Sequence, residues 1–134
     1  MSSRSSACFV STGTSSHPLP TSVHIVNMLD GGFPTPEQSK KRLDAGIRHL
    51  RAAKVPALKL IHGYGTNANI QLLRLAIRTY LHIRKMHGEI KTYVPGENWS
   101  AADVRSLELI RQVPESIVDI DFGRENKGVT LVLL

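Results

Sequence analysis

His62 closes the apolar run Leu58-Lys59-Leu60-Ile61 and is followed at once by Gly63-Tyr64-Gly65-Thr66 and then by an arginine-rich stretch. An imidazole in that place is a candidate general acid or base, and the groups around it suit a phosphodiester. Gly63 and Gly65 allow backbone conformations closed to larger residues. Residues 63–66 and the positive end of the helix that follows are therefore a candidate cradle for a phosphate. Arg74 or Arg78 would clamp the phosphate, and Asp30 would hold a water or a metal ion. A plainer reading stands beside each of these: a tight strand-to-helix turn, and a satisfied structural histidine.

The basic residues form a pattern of their own. Arg74, Arg78, His82 and Lys85 are spaced by four, four and three, which puts them on one stripe of a helix, Arg74 within about two turns of the glycine loop. Such a stripe is either a phosphate-binding face or a solvated one. From residue 38 to residue 94 there are twelve Lys or Arg against Asp44 and Glu89, a local charge of +10, whereas residues 95–134 carry −3. A concentrated positive field favours polyanions, and DNA or RNA above all.

Other chemistries find no support in the pattern. No His-Glu-x-x-His or cysteine pairing marks a zinc site, so no metal site is expected. Magnesium would enter only with nuclease activity, and Asp30 is the one carboxylate near the loop edge. No Walker lysine follows the glycines, and no nucleophile elbow is present. Asp119 and Asp121 alternate with Val118, Ile120 and Phe122, which reads as the exposed face of a strand.

The elements that must position these groups are legible in outline. Residues 23–29 read as a strand, broken by Asp30-Gly31-Gly32-Phe33-Pro34. Thr35-Pro36-Glu37-Gln38 is a capping box with proline in the first turn, and Leu43, Ile47 and Leu50 mark the buried stripe of the helix it starts. Residues 57–61 form the second strand, so strand, helix and strand imply a parallel pair with a right-handed crossover. The loops at 30–35 and 62–69 then leave the same sheet edge, where open α/β sheets bind ligands. A second helix is expected from about 70 to 87, with Leu73, Ile77, Tyr80 and Ile83 inward. Residues 90–94 read as a third strand. Ser100 would cap a third helix with Leu107 and Ile110 inward, ending near Val113-Pro114. Residues 118–122 and 128–134 read as further strands, joined by a hairpin turn at 123–127.

With 134 residues, 41% of them hydrophobic and 5% aromatic, the chain supports one core, assigned to residues 23–134. Residues 1–22, rich in Ser, Thr and Pro, read as a disordered extension. One cysteine, Cys8, excludes an internal disulfide framework and fits a reducing setting, so a cytoplasmic location is expected. No apolar run approaches the roughly 20 residues that span a bilayer, and no membrane partner is expected.

Three segments resemble the Smr (small MutS-related) family. Thr35-Pro36-Glu37-Gln38-Ser39, continuing to Leu43, is similar to the family's Thr-x-x-Glu-Ala helix start. Ile61-His62-Gly63-Tyr64-Gly65-Thr66 resembles its His-Gly-x-Gly loop, and Gly128-Val129-Thr130-Leu131-Val132-Leu133 its closing strand. The resemblance implies an α+β sandwich similar to the C-terminal domain of translation initiation factor three. In that fold two main helices pack on a mixed sheet of four to five strands, here with one inserted helix. It also implies nucleic-acid binding and, in some members, DNA nicking or RNA cleavage; a protein-interaction module is the remaining alternative. Typical members have Leu-Asp-Leu-His-Gly on the first strand, whose acid and histidine are implicated in cleavage. This chain has Asn27-Met28-Leu29-Asp30-Gly31-Gly32, with neither in place, leaving Asp30 as a spatial substitute. Residues 95–114 are an insertion, either an interaction surface or extra core cover. Tyr64 and Trp99 are candidates for stacking on bases or for packing.

Overall fold

Thr35 starts the first helix as the capping box requires: its hydroxyl accepts from the Gln38 N–H at 3.1 Å, and Gln38 Oε1 accepts from the Thr35 N–H at 2.9 Å. The computed structural model describes residues 23–134; residues 1–22, with Cys8 and the expected extension, lie outside the described residues. Helix α1 is Pro36–Ala52, between the parallel strands β1, Val23–Asn27, and β2, Ala57–Ile61. Helix α2 is Ala68–Met86, followed by β3, Thr92–Pro95. Helix α3 is Val104–Gln112, and β4, Val129–Leu133, closes the chain.

The last strand in sequence lies inside the sheet. The order is β1-β2-β4-β3, with β4 antiparallel to both neighbours. That central place explains why all five residues of β4 are buried. On one face, α1 and α2 pack Leu43, Ile47, Leu50, Leu73, Ile77 and Leu81 against Leu58, Leu60 and Val132. On the other face Trp99, Leu109 and Val113 cover Ala57, Val94, Leu131 and Leu133. The fold is α+β, with three helices on a four-stranded mixed sheet. The inserted segment is core cover for the second sheet face.

Trp99 is fully buried, edge-on to Phe122 with ring centroids 4.9 Å apart. It has no surface to offer a base.

Several expected details are corrected. Residues 118–122 are not a strand: a 3-10 turn, Pro114–Val118, runs into turns that continue to residue 125. The alternation had another cause, because Asp119 and Asp121 both turn inward to Lys59 while Val118 and Ile120 are left 74% and 80% exposed. With no strand before it, the expected hairpin at 123–127 is instead the end of this turn. Asp103, not Ser100, caps α3, accepting from the Ser106 N–H at 3.0 Å. The buried residues of α3 are Ser106 and Leu109, and Leu107 is exposed. On α2, Leu81 is buried and Ile83 exposed, since the buried stripe runs through Leu73, Ile77, Tyr80 and Leu81 and Ile83 falls beside it.

Candidate nucleic-acid interface

The glycine loop is fastened to the final strand before it reaches α2. The N–H groups of His62 and Gly63 both donate to the Gly128 carbonyl, at 2.9 and 3.2 Å. Gly63 has φ +99, and a Cβ there would stand 3.2 Å from Leu29 Cδ1 and 3.4 Å from Ile70 Cγ2. The backbone conformation favours glycine, and a Cβ would also press on these two methyl groups. The same closeness brings the loop after β1 against the loop after β2, as the parallel crossover requires. Between Gly63 and Gly65 (φ +132), Tyr64 stands 68% exposed.

The helix end behind the loop is already occupied. Asn67 caps α2, its Oδ1 accepting from the N–H groups of Asn69 at 2.8 Å and Ile70 at 3.4 Å. An anion at Thr66 would feel the helix dipole but would find those two donors taken. Beyond the dipole, positive charge at this edge comes from side chains.

His62 is fully buried on the helix-facing side of the sheet. Its Nε2 lies 2.8 Å from Thr130 Oγ1, which also accepts from Arg78 Nε at 3.2 Å. With the hydroxyl oxygen accepting from Arg78, the Thr130 proton is left to donate to a neutral imidazole. Burial, reinforced by the positive fields of Arg78 and Arg74, pushes the His62 pKa down to about 4. So enclosed, the neutral ring stands as a post beneath the loop.

Arg78 belongs to the same post. It grips Glu97 through two bonds of 2.8 and 2.7 Å and donates to the carbonyls of Val129 and Lys127 at 3.3 and 3.4 Å. Burial works against ionised Glu97, but the bonds from Arg78 outweigh it and hold the carboxyl below its ordinary pKa. Arg78 thus ties α2 to the start of the insertion and to β4 through all three of its guanidinium nitrogens. Arg78→Met should lose about 2 kcal/mol of stability, because Glu97 is left partly buried without its partner. Denaturant unfolding measures this. Intact stability with lost nucleic-acid binding would instead mark Arg78 as a phosphate clamp.

Arg74, one turn nearer the loop, differs. It is half-buried, and its field is felt by His62 and Glu97. Yet its guanidinium makes no hydrogen bond or ion pair among the described residues. Lys85, further along the stripe, is likewise unpaired among them, and His82 lies edge-on to Tyr93, with Nδ1 3.3 Å from its hydroxyl. Asp30 is exposed in the turn after β1, where its carbonyl accepts from Arg42 at 3.4 Å. Its carboxylate has no partner among the described residues. Among those residues no three His, Cys, Asp or Glu side chains converge as a metal would need, and enclosed His62 with exposed Asp30 does not make a donor set for magnesium.

Sequence reasoning missed Asn67, Glu97 and Thr130. Thr130 was the detectable one, a lone hydroxyl in the apolar strand Val129-Thr130-Leu131-Val132-Leu133 that calls for a buried partner.

The fold and this edge define a small α+β domain with a basic helix beside a glycine loop. No family model and no curated protein matches the chain. Among solved structures it is similar to the Smr domain of Thermus thermophilus MutS2, at 23% identity over 83% of this chain and 96% of that one, with a TM-score of 0.49. Among the described residues, no helix is long and apolar enough to cross a membrane.

Proposed function

We propose that this chain binds DNA or RNA through the phosphate backbone, along the glycine loop and the outer stripe of α2. The observation that carries the reading is Arg74: a half-buried cation beside the loop whose donors meet no acceptor among the described residues. Its guanidinium nitrogens are not among the buried side-chain nitrogens of the described residues that lack a partner, so they reach solvent, where a phosphate can meet them. Lys85 and His82 extend the track, and Tyr64 to Thr66 border it. The motif resemblance to the Smr family supports the same reading. Cleavage of the Smr type is less well supported, because His62 is sealed and neutral and the family's first-strand acid and histidine are missing.

Fluorescence anisotropy with labelled DNA and RNA across a salt series tests this. Arg74→Ala should weaken binding several-fold and reduce the dependence of log K on log salt by about one phosphate's worth. Unchanged affinity and slope in Arg74→Ala and Lys85→Ala would overturn the proposal. Absence of any binding at low salt would point to an acidic protein partner.

A further inference from the structure

We infer that the groove between Tyr64 and residues 120–126 receives an unpaired nucleobase, so that the chain selects single-stranded over double-stranded nucleic acid. This rests on the phosphate-binding reading and adds what that reading leaves open, the strandedness of the ligand.

Tyr64 is a large ring, 68% exposed, on a loop fastened at its base by the His62 and Gly63 N–H bonds to the Gly128 carbonyl. It is one wall of an open groove of about 530 Å³, whose other walls are Ile120, Asp121, Arg124, Glu125 and Asn126. That volume lies in the range of small-molecule sites and accommodates a base. The two apolar surfaces, the Tyr64 ring and the 80% exposed Ile120, otherwise lie open to water. Stacking a base on the ring would cover both.

The far wall is built to stay in place. Lys59, buried in the sheet, holds Asp119 at 2.8 Å and Asp121 at 2.5 Å. Asn126 donates to Asp121 at 3.0 Å and accepts from the Gly128 N–H at 2.8 Å, and the Gly123 N–H donates to the Trp99 carbonyl at 2.7 Å. The two walls meet at Gly128, where a Cβ would stand 3.0 Å from both the Gly63 carbonyl carbon and Tyr64 Cβ. A groove already formed spends less of its binding free energy on ordering.

Its polar groups fit a base edge. Asn126 is committed to the wall, but the side chains of Arg124 and Glu125 make no hydrogen bond or ion pair among the described residues. Glu125 can accept from an exocyclic amino group, and Arg124 can stack or meet the adjoining phosphate. Arg74 is near enough to His62, at the base of the same loop, for the ring to feel its charge, and a strand crossing the loop would offer its phosphate to Arg74 and its base to Tyr64. In a duplex that base is paired and stacked internally, and the ring has nothing to take.

The test uses the full chain with fluorescein-labelled single-stranded RNA and DNA and with a hairpin duplex of the same sequence. A 2-aminopurine in the single strand reports stacking by quenching. Wild type should bind the single strands more tightly and quench the probe. Tyr64→Ala should lose about tenfold on single strands, with quenching abolished and duplex binding little changed, while Tyr64→Phe retains both. Arg74→Ala should weaken single strands and duplex alike. If Tyr64→Ala binds single strands as wild type does while Arg74→Ala binds less, the base groove is overturned and the phosphate surface stands. Equal affinity of wild type for duplex and single strand also overturns the groove, and no binding of either overturns both readings.

Discussion

Lys59→Met is expected to destabilise the fold by about 3–5 kcal/mol, the usual result of removing one member of a buried charge group and stranding the rest. Lys59 points from β2 into the second sheet face and is 3% exposed. Its ammonium neutralises Asp119 and Asp121, whose side chains are 14% and 16% exposed. Without it, two carboxylates face each other beneath Trp99, whose indole N–H donates to Asp119 Oδ2 at 3.3 Å. Burial opposes the charged amine, but bonds to the two aspartates outweigh it and raise its pKa. Burial likewise opposes ionised Asp121, and the bonds from Lys59 and Asn126 reverse the balance and lower its pKa. The stabilisation from Lys59 is therefore full below its unfolded pKa and lost only in strong alkali, as pH rises through the raised folded value. That from Asp121 is full above its unfolded pKa and lost as pH falls through the lowered folded value. Denaturant unfolding at pH 7 measures the deficit. The triple variant Lys59→Met, Asp119→Asn, Asp121→Asn should recover most of it, since a neutral set carries no stranded charge. A loss under about 1 kcal/mol would mean that water reaches the aspartates and that the wall of the Tyr64 groove is loose.

That cluster also shows where sequence reading reached its limit. The capping box at Thr35, the stripe Leu43, Ile47 and Leu50 and the parallel β1 and β2 were legible because their signals are local and repeat with a helix or strand period. Val118 to Phe122 alternates just as a strand does, yet its aspartates turn toward a lysine some sixty residues earlier, and no short window contains both. The site divided along the same line. A motif singled out Tyr64, which is exposed, and spacing singled out Arg74, which is half-buried. Arg78 has the same spacing as Arg74 but different neighbours: its partners Glu97 and Thr130 arrive from the insertion and the last strand. Periodicity says which residues share a helix face. It does not say what the rest of the chain lays against that face.

The acid dependence of stability decides whether His62 is a structural post or a reactive group. An imidazole with an unfolded pKa near 6.5 and a folded value of about 4 stabilises the fold fully above pH 6.5. That contribution is lost as pH falls toward 4, because the unfolded chain takes up the proton first. Over the fall from pH 7 to pH 4 it amounts to about 3 kcal/mol at about 1.4 kcal/mol per pKa unit, and about 2 kcal/mol of that is lost by pH 5. His24, lowered by burial and by nearby His49, contributes in the same window, so the informative quantity is the difference between wild type and His62→Gln. Glutamine keeps a hydrogen-bonding partner for Thr130 and does not titrate. The His62→Gln protein should therefore lose about 2 kcal/mol less than wild type between pH 7 and pH 5, measured by urea unfolding above the range where Glu97 and Asp121 titrate. Parallel profiles would mean that His62 exchanges protons with solvent in the folded chain, which would restore it as a candidate acid or base. A divergent pair means that the ring is neutral at working pH and has no imidazolium proton to give a leaving oxygen, and its complete burial then stands against its acting as a base.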